Sequence, residues 1–235
     1  DGLTYGESEE EREADIDYVN KVYAAASGRT MYCIHEAKNY MVGYGKGGTI
    51  AQMAAMDQTA VWAGLVTVGA GDVDSGWIEA NGKEMASSLN GYNDQSNSTR
   101  KSEIQKSTLP LPVWIINDGT ETDAETLQYW LDADKIGADE YTIGDDTVTK
   151  YVRTKAWADS AGTGDYETKY GDNRDKEAYR VWVSGKPSGD LENTIWNDFL
   201  FGVRRWMADP GGDLRVTKDP IADLGMDRHY EEVGG

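Results

Sequence analysis

The chain has 235 residues, with 42 acidic against 23 basic side chains and a net charge of −19. Such a length buries a real core, most economically as one domain, and the eight tryptophans mark a globular chain rather than a disordered one. The charge argues against nucleic acid as a partner, because phosphate binding needs basic patches. No stretch approaches about 18 uninterrupted apolar residues, so no membrane span is expected. Cys33 is the only cysteine, which excludes an internal disulfide framework and a cysteine metal cluster. It is read as a buried, inert thiol. With only His35 and His229, mechanisms that need imidazole are restricted.

Residues 1–8 read as loop, and the start at Asp1 without an initiator methionine or signal peptide predicts a processed or partial chain. Ser8 followed by Glu9, Glu10 and Glu11 predicts a helix start, since acids favour the positive end of the dipole. Ile16, Val19, Val22 and Tyr23 then form one apolar stripe on a helix reaching about Ala26. Residues 39–43 are the first expected strand, followed by a glycine-rich turn and a helix from Gly48 to Met56. Residues 61–68 form a second apolar run, closed by Gly69 and Gly71. Residues 87–109, rich in serine and asparagine, read as a surface loop. Residues 112–116 are the third strand, and Ala124 to Leu131 is helical. The Asp-, Gly- and Thr-rich stretch 132–176 predicts an irregular excursion or a short hairpin. Residues 178–183 are a fourth strand, and 190–207 a final helix with Leu191, Ile195, Trp196, Phe199 and Val203 on one face. Continuous apolar strands alternating with helices predict an α/β fold: a doubly wound, mostly parallel sheet with helices on both faces.

The turn after the first strand carries the most chemical information. Gly43-Tyr44-Gly45-Lys46-Gly47 has the layout of G-x-S-x-G, the nucleophile elbow of the α/β-hydrolases, with glycine in the nucleophile's place. The helix carrying Asp15-Ile-Asp17-Tyr-Val, the run Pro112-Val-Trp-Ile-Ile-Asn-Asp-Gly-Thr120 and the run Trp196-Asn-Asp-Phe-Leu-Phe-Gly-Val-Arg-Arg-Trp206 stand before and after it. Together they resemble the polyhydroxybutyrate depolymerase and feruloyl-esterase-like group of secreted serine esterases, over roughly residues 10–207. The resemblance implies an α/β-hydrolase-like domain at 1–207 that lacks the N-terminal strands. Residues 208–235 would be a tail or a linker to a further segment. Asp227-Arg-His-Tyr-Glu-Glu-Val-Gly-Gly235 resembles the lead-in before such a domain's first strand. The resemblance also implies a secreted or cell-surface setting, and a partner chain or segment supplying the missing strands.

Carried onto this chain, the family's nucleophile falls at Gly45. Its acid falls near Asp123, or at Glu121. Its histidine falls in Ser184-Gly-Lys-Pro-Ser-Gly189, at Lys186 or Pro187. A serine triad needs its base within hydrogen-bond reach of the nucleophile, and here both are replaced. The implied role is a catalytically silent module that binds or scaffolds, with an ester or carbohydrate polymer as ligand. Tyr44 and Lys46 beside the elbow, and Trp77 and Trp157 in polar loops, are the candidate ligand contacts. Trp62, Trp114, Trp182 and Trp196 are expected in the core.

Two other readings compete. One is an active carboxylic-ester hydrolase whose working residues come from another segment, or in which Gly45 replaces a serine. The other is a dinucleotide-binding domain using Gly43-x-Gly45-x-x-Gly48, with Asp72 or Asp74 on the ribose. A phosphate loop is excluded because glycine follows Lys46. Asp132, Asp134, Asp139, Glu140, Asp145 and Asp146 lack EF-hand spacing and read as solvated loop, so neither a metal nor another cofactor is expected. Asn97-Ser-Thr99 is a glycosylation sequon, meaningful only in a eukaryotic secretory context.

Overall fold

The structure is a computed structural model. It describes residues 3–5, 8–27, 38–57, 62–81, 111–134, 136–137, 141–143, 148–152, 180–201, 207–208 and 214–215. Helix α1 spans Glu9–Ser27. Its start is a reciprocal cap: Glu11 N donates to Ser8 Oγ at 3.3 Å, and Ser8 N donates to Glu11 Oε2 at 3.2 Å. Two amides that the first turn leaves unpaired are thereby satisfied. Strand β1 (Tyr40–Tyr44) leads into α2 (Lys46–Asp57), and β2 (Gly64–Val68) leads into α3 (Ser75–Asn81). Strand β3 (Val113–Asn117) precedes α4 (Ala124–Ala133).

A hairpin of β4 (Tyr141–Ile143) and β5 (Thr149–Val152) falls inside the stretch expected to hold an excursion or hairpin. Strand β6 (Arg180–Gly185) is followed by a short α5 (Leu191–Thr194), which passes into a π-helical segment at Ile195–Leu200. Met207–Ala208 (β7) and Leu214–Arg215 (β8) pair antiparallel across the expected 207/208 boundary.

One six-stranded sheet runs β1-β2-β3-β6-β5-β4. Its first four strands are mutually parallel, and β5 and β4 continue it antiparallel beyond β6. Alternation along the strands divides the core between two faces. Leu65, Val113, Ile115 and Val181 pack with Ile16 of α1, Met53 and Met56 of α2, Trp77 of α3 and Trp130 of α4. Val66, Val68, Trp114 and Ile116 instead meet Leu191, Ile195, Phe199 and Leu200. Helices thus cover both faces of a mostly parallel sheet, an α/β architecture. Two of the buried indoles are anchored: Trp130 Nε1 donates to Gln52 Oε1 and Trp114 Nε1 to Ser184 Oγ, each at 3.0 Å.

Four expectations are corrected. Asp132 and Asp134 are not in a solvated loop: Asp132 lies in α4, and Asp134, which ends that helix, is fully buried and accepts from Leu111 N at 3.0 Å. Trp77 does not lie in a polar loop: α3 carries it into the core, where it is 8% exposed. That short helix was not legible, because Asp74 caps it through Trp77 N (3.1 Å) within a run of small polar residues. Trp196 is not core but 44% exposed, edge-on to Tyr40 and Phe201. The expected continuous helix over 190–207 changes to π geometry at Ile195, and residues 207–208 are strand. The wider π turn rotates the following side chains relative to a 3.6-residue repeat. That is why a stripe counted at helical spacing misplaces Trp196 while Leu191, Ile195 and Phe199 remain buried. No helix is long and apolar enough to cross a membrane among the described residues.

Candidate site at the strand C-termini

Because β1, β2, β3 and β6 are parallel neighbours, the loops that follow them all leave from the same edge of the sheet. In open α/β sheets that edge is where ligands bind. It gathers Gly45 and Lys46 after β1, Gly69 to Asp72 after β2, Asp118 to Asp123 after β3 and Lys186 after β6.

The turn at Gly45 is sharp. Its φ is +53°, its N–H continues the ladder to Val68 O at 2.8 Å, and its carbonyl accepts from Gly48 N at 2.9 Å. A Cβ built on Gly45 meets nothing within 4 Å, so the turn has room for a side chain that the sequence does not supply. Gly43 and Gly48 are glycine for another reason. A Cβ on Gly43 would lie 2.5 Å from Gly47 O, and one on Gly48 would lie 2.8 Å from the Ala70 Cβ. They let α2 press against its own strand, as close helix–strand packing requires.

The loops after β3 and β6 meet. Lys186 Nζ lies 2.7 Å from Asp118 Oδ2, an ion pair between the β6 and β3 loops with both side chains about half exposed. The hydrogen bond to Asp118, then that carboxylate's charge, holds the Lys186 ammonium above its ordinary value of 10.5. Glu192, at the start of α5, faces the same lysine and accepts a long 3.5 Å contact from the Tyr44 hydroxyl. Burial, followed by the charge of Glu192, raises the Tyr44 phenol above 10.0. Both groups are therefore fully protonated at neutral pH.

Asp123 caps α4 instead. Its Oδ1 accepts from Thr126 N, while its own N–H donates to Asp72 Oδ1 at 2.9 Å. Glu121 is exposed in the same loop. The carboxylate that meets Lys186 is that of Asp118, not Asp123 or Glu121. Its signal was position, as the first residue beyond an apolar strand, directly before Gly119 at φ +79°. Glu192 gave no comparable signal.

Tyr44 and Lys46 are exposed beside the turn. Trp77 is withdrawn into the core. Pro187, the other candidate for the histidine's place, is half-buried beside Lys186. Trp157, Cys33, His35, His229, Asn97, Asp139, Glu140, Asp145 and Asp146 lie outside the described residues. Among the described residues, no group of three or more His, Cys, Asp or Glu side chains is arranged to hold a metal ion. A scan against protein-family profiles and searches of curated proteins and of solved structures each returned no match.

Proposed function

We propose that this is an α/β-hydrolase-like domain of the esterase type, hydrolytically silent, whose elbow site binds rather than cleaves. The observation that carries the reading is the joint geometry of Gly45 and Lys186. The turn has the positive φ and the open space of a nucleophile position with no nucleophile. The loop that would supply the base supplies a lysine locked to Asp118. A lysine works as a general base when its pKa is pushed down toward neutrality. The shift here is upward, so Lys186 remains a cation with no free electron pair.

The dinucleotide reading is weaker on the same geometry. The acids it needs are engaged as loop caps, Asp72 with Asp123 N and Asp74 with Trp77 N. Gly43 and Gly48 are accounted for by packing. A scaffolding role draws support from β1, the terminal strand of the sheet among the described residues, where Val42 and Tyr44 are 41% and 47% exposed. A strand from another segment or chain that extends this edge would cover them.

Turnover of p-nitrophenyl butyrate tests the reading. The wild-type chain should show none. Gly45→Ser with Lys186→His should show a measurable rate, and Gly45→Ser alone should not. Wild-type turnover would return the active-esterase alternative, and an inert double variant would remove these positions from any triad.

A further inference from the structure

Tyr5 is the only non-glycine residue with positive φ (+52°) among the described residues. The left-handed region is unfavourable for a bulky side chain and persists only where surrounding contacts impose it. Here one buried carboxylate imposes it. Asp15, on α1 and 1% exposed, accepts from Thr4 N at 2.6 Å, Thr4 Oγ1 at 3.0 Å and Tyr5 N at 2.9 Å. The clamp does not serve to bury the Tyr5 ring, which stays 44% exposed. It sets the ring beside the elbow, with Cε1 3.8 Å from the position a Cβ would take on Gly47. Tyr44, 47% exposed, borders the same turn from the strand side.

Two half-exposed phenol rings therefore flank a turn whose nearby charged groups include Lys46, Lys186, Asp118 and Glu192, with Asp72, Glu121 and Asp123 in the loops of the same sheet edge. The carboxylates outnumber the two lysines there, on a chain of net charge −19. An anionic ligand finds no surplus positive charge here to offset the repulsion of the whole molecule. A neutral ring with many hydroxyls fits better: its C–H face lies on an aromatic ring, and its hydroxyls meet carboxylate acceptors and ammonium donors.

Building on the elbow as a binding site, we infer that it takes the ring of a neutral sugar, with Tyr5 as the stacking wall that the Asp15 clamp holds in place. The test is calorimetric titration of cellohexaose, xylohexaose and mannohexaose, with hexagalacturonate as the anionic counterpart. At least one neutral hexasaccharide should bind, and hexagalacturonate should not. Tyr5→Ala should weaken binding by at least about tenfold, and Tyr5→Phe, which keeps the ring, should retain it. Asp15→Asn should weaken it through loss of the clamp. Tyr141→Ala, an equally exposed ring on the far strand β4, should leave it unchanged. Unchanged urea midpoints for the Tyr5 variants would show that they remain folded.

The inference is overturned if no neutral hexasaccharide binds or if binding survives Tyr5→Ala. Binding that is lost in Lys186→Met but indifferent to Tyr5 would overturn the wall and leave the elbow site standing. Gain of ester turnover in the Gly45 and Lys186 double variant, without any sugar binding, would overturn the sugar and leave the hydrolase-like reading intact.

Discussion

Replacing Asp15 by Asn tests how the segment at Thr4 and Tyr5 is held. Asn keeps one oxygen for Thr4 but turns an N–H donor toward the N–H of Tyr5, and it removes the charge from all three bonds. A hydrogen bond to a charged group contributes about 1.5–3 kcal/mol, and a neutral one about 1. Releasing Tyr5 from its left-handed conformation returns about 1–2 kcal/mol. Losing one charged bond and weakening two others, less the strain returned, leaves a net destabilisation of about 3 kcal/mol. With a urea m-value of about 3 kcal/mol/M, the unfolding midpoint should fall by roughly 1 M. Tyr5→Gly keeps the backbone N–H and tolerates the positive φ, so alone it should be neutral or stabilising by up to about 1 kcal/mol. If Asp15→Asn left the midpoint within roughly 0.2 M of the wild type, less than about 1 kcal/mol at that m-value, the clamp would not be a stabilising element.

Other expectations follow from single contacts. Trp130→Phe strands Gln52 Oε1 in the core and should cost about 1–3 kcal/mol in chemical denaturation; Gln52→Leu in the same chain should recover part of it. Gly43→Ala should give little folded protein, because its Cβ would lie 2.5 Å from backbone oxygen. Gly45→Ala, with open space but φ +53°, should remain folded at a cost of about 1–2 kcal/mol. Asp118→Asn should lower the titration midpoint of Lys186, followed by the NMR shift of its ε-carbon, toward the ordinary lysine value. The sign follows from the raised value: the ion pair stabilises the fold below pH 10.5, and that contribution is lost as pH rises through the folded-state pKa.

Much of the frame was legible because it is written in local periodicity. The strands at residues 40–44, 64–68, 113–117 and 180–185 are apolar runs bounded by glycine or polar turns, and Ser8 with Glu11 marks the start of α1. Glycine at the elbow announced the sharp turn. The failures share a different cause. Trp77 and Trp196 were assigned from their neighbours in sequence, whereas a short capped helix buries the first and a π segment turns the second outward. Spacing points to Asp123 or Glu121 and not to Asp118, because spacing alone does not say which carboxylate faces the β6 loop. Tyr5 carried no local signal at all, since its conformation is imposed by a carboxylate ten residues away.

The central claim is that the elbow lacks a nucleophile and that the fold around it would accept one. Intact-mass measurement after exposure to a fluorophosphonate tests it most directly. The account predicts no adduct on the wild-type chain and a single adduct, lost on Gly45 reversion, in the chain carrying Gly45→Ser and Lys186→His. A stoichiometric adduct on the wild type, or none on the double variant, would contradict it.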